Sequence, residues 1–189
     1  MAQTLVASIN GVSIKKLKFF IGQEGGCFQG DVYLDGKKLG FWSQDQWGGP
    51  DNFDFNEAPL KERAREYYST HPEVDELKLY DMKLEDVDFN NLPMRSVDSM
   101  IEIESHLIGD VVDLTDALKW YKKWDKQGYP VAGKLTFIHG RWPIPRENGT
   151  LCAGLTKEAI AKKFKEFTDK YPYARIEYYE KPEDFIKTV

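Results

Sequence analysis

Residues 27–43 read Cys27-Phe28-Gln29-Gly30-Asp31-Val32-Tyr33-Leu34-Asp35-Gly36-Lys37-Lys38-Leu39-Gly40-Phe41-Trp42-Ser43. Up to Leu34 the run alternates, with Phe28, Val32 and Leu34 on one face and Gln29, Asp31 and Tyr33 on the other, as a half-buried strand requires. Asp35-Gly36 then tolerates positive φ at two successive positions, the chemistry of a two-residue type I′ hairpin turn. Residues 37–43 are therefore expected to return antiparallel. Upstream, residues 15–21 read as a further strand, joined through a loop containing Glu24-Gly25-Gly26. The expected fold class is α+β: an N-terminal antiparallel β-meander followed by helices and additional strands.

Outward from this meander, residues 44–55 are rich in Gly, Asp, Asn and aromatics and contain Gly48-Gly49-Pro50, which marks a loop. A helix is expected after Asn56, whose amide can cap free N–H groups, with Pro59 in the first turn and Leu60, Ala64, Tyr67 and Tyr68 as its buried stripe. Residues 73–93 carry only short apolar pieces, around Leu77, Leu79, Val87 and Phe89, that suit strand or loop. Val97, Met100, Ile101 and Ile108 suggest one helix. Ala117, Trp120, Tyr121 and Trp124 suggest a second, ended by Gly128. Residues 131–139 form a strand candidate with Val131, Leu135 and Phe137 on one face, and Trp142-Pro143-Ile144-Pro145 cannot continue a central ladder. The last helix has Thr156 as cap, Leu155 and Ile160 at the positions of a hydrophobic staple, and Ile160, Phe164, Phe167 and Tyr171 along one face. Residues 175–179 read as a closing strand. The expected organisation is one compact unit with two subregions, residues 1–92 and 93–189.

A chain of 189 residues, 41% hydrophobic and 14% aromatic, buries a self-sufficient core. Its two cysteines, Cys27 and Cys152, have neither metal-ligand nor redox spacing. Residues 1–21 lack a basic segment leading into an apolar stretch, and no run approaches the roughly 18 apolar residues that span a bilayer; a cytoplasmic protein is expected. The net charge of −5 conceals a segregation: residues 73–113 hold 3 basic against 12 acidic side chains, whereas residues 114–189 hold 15 against 10. Such asymmetry steers association with a charged partner, although a solvated acidic surface is the commoner explanation.

Familiar catalytic motifs are missing, and residues 22–26 lead into a strand, so the helix-dipole argument for phosphate binding fails there. His71, His106 and His139 are far apart in sequence, and only His139, at a strand end, sits where function is common. The acidic residues of the N-terminal module are more informative. Glu24 lies in the glycine loop, Asp31 in mid-strand, and Asp45 and Asp51 in the loop after the third strand. Paired carboxylates hold a divalent metal such as magnesium or act as general acid and base, the chemistry of phosphodiester cleavage. The competing reading makes Asp31 part of a solvated face and the others turn formers. Lys37, Lys38, Trp42 and Trp47, with Arg141 and Arg146, are candidates for phosphate neutralisation and base stacking on single-stranded nucleic acid; against this, lysines beside a hairpin turn commonly serve solubility and tryptophans commonly fill cores.

The run Phe20-Ile21-Gly22-Gln23-Glu24-Gly25-Gly26-Cys27-Phe28-Gln29-Gly30-Asp31-Val32-Tyr33-Leu34-Asp35-Gly36-Lys37-Lys38-Leu39-Gly40, followed by Asp45 and Gly48-Gly49, resembles a module of small proteins from phages and other bacterial mobile elements. It is similar to the N-terminal region of certain type II-A anti-CRISPR proteins, among them a class that truncates the guide RNA of the effector nuclease. The resemblance implies a phage or mobile-element inhibitor of RNA-guided DNA cleavage, with the CRISPR effector nuclease and its guide RNA as partners and Glu24 and Asp31 as candidates for acid-dependent guide cleavage. Two alternatives stand beside it: an inhibitor that lays the acidic residues 73–113 into a basic nucleic-acid channel, and an unrelated intracellular interaction module with exposed aromatics.

Overall fold

The computed structural model describes residues 5–23, 25–47, 49–137, 151–171 and 174–189. In chain order the elements are β1 (Ser8–Ile9), β2 (Val12–Ile21), β3 (Gly26–Leu34), β4 (Lys37–Ser43), β5 (Asn52–Phe53), α1 (Ala58–Thr70), α2 (Glu76–Tyr80), α3 (Ile103–Asp125), β6 (Val131–Phe137), β7 (Leu151–Gly154), α4 (Lys157–Lys170), β8 (Ala174–Tyr179) and β9 (Ile186–Lys187), with single 3₁₀ turns at Leu84–Asp86, Val97–Ser99 and Pro182–Phe185. The α+β class expected from the sequence is the class observed. Two compact units divide the chain, each discontinuous: Met1–His71, Met100–Leu118 and Phe185–Val189 form the first, Pro72–Ser99 and Lys119–Asp184 the second. Among the described residues, no helix is long and apolar enough to cross a membrane.

The first unit is built on a sheet of order β5-β4-β3-β2-β1-β9. Its pairings are antiparallel except for the parallel pairing of β1 with β9, Ser8 opposite Ile186. The turn at Asp35-Gly36 has φ of 48° and 78°, as type I′ requires, and Asn10-Gly11, at 47° and 81°, makes a second two-residue turn between β1 and β2. The Asp35 side chain lies close over Gly11: a Cβ there would stand 2.2 Å from its Oδ1, so the carboxylate would have to move.

Helix α1 follows its sequence signals closely. Asn56 accepts a hydrogen bond from the Ala58 N–H at 3.1 Å, proline occupies the first turn, and Leu60, Ala64, Tyr67 and Tyr68 are the buried stripe. The helix is tied to the sheet turns through Asn10, which donates to Glu66, and through Arg63, 2.8 Å from Asp35. Tyr68 donates to Asp110 of α3 at 2.7 Å. Where two helices were expected after Ser96, there is a 3₁₀ turn and then one continuous helix, α3, and Ile101 is left outside it, 81% exposed. No proline interrupts residues 103–125, and a lone glycine, Gly109, weakens a helix by about 1 kcal/mol without breaking it. Leu107, Ile108 and Val111 are fully buried along its first turns.

In the second unit the antiparallel sheet β7-β6-β8 carries α4 on one face. Val131, Leu135, Ile160, Phe164 and Ala174 form its core, with Phe167, Tyr171 and Ile176 packed at the edge. Thr156 caps α4, accepting from the Ala159 N–H at 3.2 Å. Leu155 is 66% exposed, so the staple expected with Ile160 does not bury the leucine. Residues 73–93, ambiguous in sequence, hold short α2, and Val74 forms a bridge with Met94 just beyond them. His139 and the run Trp142-Pro143-Ile144-Pro145 lie outside the described residues.

Candidate functional site

The register of β2, β3 and β4 sorts the meander into two faces. Ile14 stands opposite Val32, and Gly30 opposite Trp42; Val12, Ile14, Val32 and Trp42 are each at most 2% exposed and make the inner, core-facing side. On the outer side Lys15 and Phe41 flank Asp31, Lys38 stands opposite Tyr33, and Lys18 opposite Gln29. Lys15, Lys18, Lys38 and Phe41 are exposed and Tyr33 is half-buried.

Strict alternation would turn Lys16 inward. Instead β2 bulges between Lys15 and Lys18, and Lys16 adopts φ of 54°, a left-handed conformation that costs a non-glycine residue about 1 kcal/mol. Gly30 makes room for the bulge, because a Cβ there would lie 2.7 Å from Cγ2 of Ile14 and 3.1 Å from the Lys15 carbonyl oxygen. The bulge brings Lys16 to the outer side, where its Nζ is 2.9 Å from Oδ2 of Asp31, while Lys38 Nζ is 2.7 Å from Oδ1. Asp31 is itself buried. Hydrogen bonds from Lys38 and then Lys16 hold its carboxyl below the usual carboxylate range, and Asp31 in turn raises the Lys16 ammonium. Lys15 places its ammonium 4.2 Å from the centre of the Tyr33 ring. Four lysines and two aromatic rings thus surround one ionised carboxylate on an open face.

Beyond the end of this face the two glycine-bearing loops join. The Gln23 N–H donates to the Gln46 carbonyl at 2.9 Å, and a Cβ on Gly22 would collide with the Gln46 backbone. Asp45 shapes the second loop, accepting from the N–H groups of Trp47 and Gly49 at 3.1 and 2.9 Å. Trp47 is 65% exposed on this loop, and Phe19 and Ile21, at the end of β2, are also exposed.

Trp42, expected as a stacking platform, is a core residue: it is 1% exposed, and its indole N–H donates to Asp51 at 2.8 Å. Its rings are unavailable to a base because strand alternation points it inward. Asp51 also bonds Ser105 of α3, and burial, above all, pushes its carboxyl up. Asp31, Asp45 and Asp51 therefore have separate partners, and among the described residues no group of three or more His, Cys, Asp and Glu side chains is placed to hold a metal ion. Lys37 is exposed at the start of β4, and Lys38 is part of the Asp31 cluster. Glu24, Arg141 and Arg146 lie outside the described residues. Sequence reasoning missed Lys15, Lys16, Lys18, Tyr33 and Phe41 as members of one face; the basic run in β2 was its available signal. No protein-family model matches the chain, and no curated protein or solved structure matches it.

Proposed function

We propose that this protein inhibits an RNA-guided CRISPR nuclease by engaging the guide RNA with the outer face of its N-terminal sheet. The observation that carries the reading is the grouping of Lys15, Lys16, Lys18 and Lys38 with Tyr33 and Phe41 on one open side of β2, β3 and β4. Ammonium groups that track a backbone, interleaved with rings on which bases stack, are the general means of holding a single strand. The choice of nuclease rests on the resemblance of residues 20–40 to type II-A anti-CRISPR proteins. Guide binding stands ahead of guide truncation in this proposal. A carboxylate held low by two ammonium groups, as Asp31 is, is a poor proton acceptor and carries no proton to donate at neutral pH. Truncation would draw on Glu24.

The test mixes end-labelled guide RNA with a type II-A effector nuclease and the protein, with and without magnesium. Wild type is compared with Lys15→Ala/Lys18→Ala, Glu24→Ala and Asp31→Ala on denaturing gels and in DNA-cleavage assays. Blocked DNA cleavage that is lost in the lysine double variant supports guide engagement, and a shortened guide that needs Glu24 adds truncation to it. One observation favours a second reading: Asp81, Glu85, Asp86, Asp88 and Asp98 are all exposed within residues 72–99. If the acidic surface is the inhibitor, inhibition is stoichiometric, indifferent to Lys15 and Lys18, and lost when these acids are neutralised. No effect on either nucleic acid moves the assignment to a protein-interaction module.

A further inference from the structure

We propose that Asp31 is a positioning and affinity-limiting residue of the outer face, an internal carboxylate that occupies Lys16 and Lys38 where a phosphate of a bound strand would otherwise sit. The inference rests on the reading of this face as a nucleic-acid interface. Its basis is geometric. Asp31 is 7% exposed and anchored in mid-strand, whereas the side chains of Lys16 and Lys38 are 76% and 49% exposed. The carboxylate is therefore the fixed member, and the two flexible lysines are drawn onto it. Its two oxygens serve one lysine each, at 2.9 and 2.7 Å, so that neither ammonium has the carboxylate's full attention and each keeps donors directed to solvent. Lys15 and Lys18 make no ion pair among the described residues. The face as built thus offers two ammonium groups without a carboxylate partner, that of Lys15 resting over the Tyr33 ring, and two already neutralised in part.

The strain at Lys16 belongs to the same device. Lys16 is left-handed in a bulge for which Gly30 leaves room, a conformation that costs energy the regular ladder would not. What the bulge achieves is to bring Lys16 to the side of Asp31. A phosphate arriving at the cluster must share Lys16 and Lys38 with Asp31, and meets a like charge between them. Strands are held through counterion release at Lys15 and Lys18, with the Asp31 pair as a brake on affinity.

The test is the salt dependence of binding of a fluorescein-labelled oligouridine to the full chain, followed by anisotropy from about 50 to 200 mM salt, the range over which such contacts are readily resolved. Asp31→Asn keeps the shape and removes the charge. It is expected to bind about fivefold more tightly, the worth of one unit charge about 4 Å away in water, and to steepen the log–log salt slope by about 0.7, the gain of one net charge. The triple variant Lys16→Gln/Asp31→Asn/Lys38→Gln, which does not depend on the single variant folding, is expected to flatten the slope by about 0.7, the loss of one net charge. Two independent phosphate contacts would flatten it by about 1.4. Weaker or unchanged binding by folded Asp31→Asn, or a flattening of about 1.4 in the triple variant, overturns the role given to Asp31 while leaving the interface standing. Absence of oligouridine binding by the wild type at low salt overturns the interface itself, and this inference with it.

Discussion

Trp42 and Trp47 separate the core from the candidate interface, and their replacement by alanine is expected to have opposite consequences. Trp42 is 1% exposed and donates its indole N–H to Asp51 at 2.8 Å. Burying an aromatic ring of about 150–250 Å² at about 25 cal/mol per Å² is worth about 4–6 kcal/mol. Core Trp→Ala changes cost about 3–5 kcal/mol, and the hydrogen bond to Asp51 is lost in addition. Trp42→Ala should therefore destabilise the protein by about 4 kcal/mol, lowering the urea midpoint by about 2 M for a slope of about 2 kcal/mol/M. Trp47 is 65% exposed on its loop, so Trp47→Ala should leave the midpoint within the error of a surface substitution, about 0.5 kcal/mol. If Trp47 stacks on a base, the same change weakens RNA binding by about 1–3 kcal/mol. The assays are urea unfolding followed by far-UV circular dichroism and RNA binding measured well below the unfolding midpoint. An unchanged urea midpoint in Trp42→Ala, with RNA binding lost, would refute the assignment of faces on which the site is built.

Three further outcomes follow from the same geometry. Gly30→Ala sets a methyl group against Ile14 and the Lys15 carbonyl, and should cost about 1–3 kcal/mol by overpacking while displacing the bulge that carries Lys16; thermal unfolding and RNA affinity should fall together. Thr156→Ala removes the cap on the Ala159 N–H and should cost about 1 kcal/mol, read as a loss of stability without change in RNA binding. Asp51 has a folded-state pKa raised by burial, so its favourable contribution is fully present below its unfolded value and is lost as pH rises through the folded one; Asp51→Asn should accordingly raise stability at pH 7 relative to stability at pH 4, measured by urea unfolding at each pH.

Much of the fold was legible because its signals are local. The alternation of residues 27–34 and the positive-φ pair Asp35-Gly36 act within a few residues, and both appear as expected in β3 and its turn. The Asn10-Gly11 turn and the start of β2 at Val12 were not expected, although Asn-Gly carries the same turn chemistry as Asp35-Gly36. The buried stripe of α1 and the Thr156 cap of α4 are likewise set by spacing along one helix. The site was less legible. Lys15 and Lys16 are adjacent, so alternation assigns them to opposite faces; only the bulge, for which Gly30 leaves room across the sheet, unites them. Trp42 lies in the strand 37–43 and Trp47 in the loop 44–55, but which face of the strand Trp42 takes is decided only by what the sheet packs against.

By itself, then, the sequence determined the meander, its turns, the helix stripes and the class of the fold, because propensity, side-chain period and capping act over a few residues at a time. The pairing of β1 with β9, which joins residues 8–9 to residues 186–187, required the tertiary structure, as did the continuity of α3. The same holds for the partners of each carboxylate. Asp31, Asp45 and Asp51 are alike as letters, yet one is clamped between lysines, one closes a loop and one is half-buried under a tryptophan. Their ionisation and chemistry depend on burial and on charges brought from other strands and helices, and those are decided only when the chain is packed.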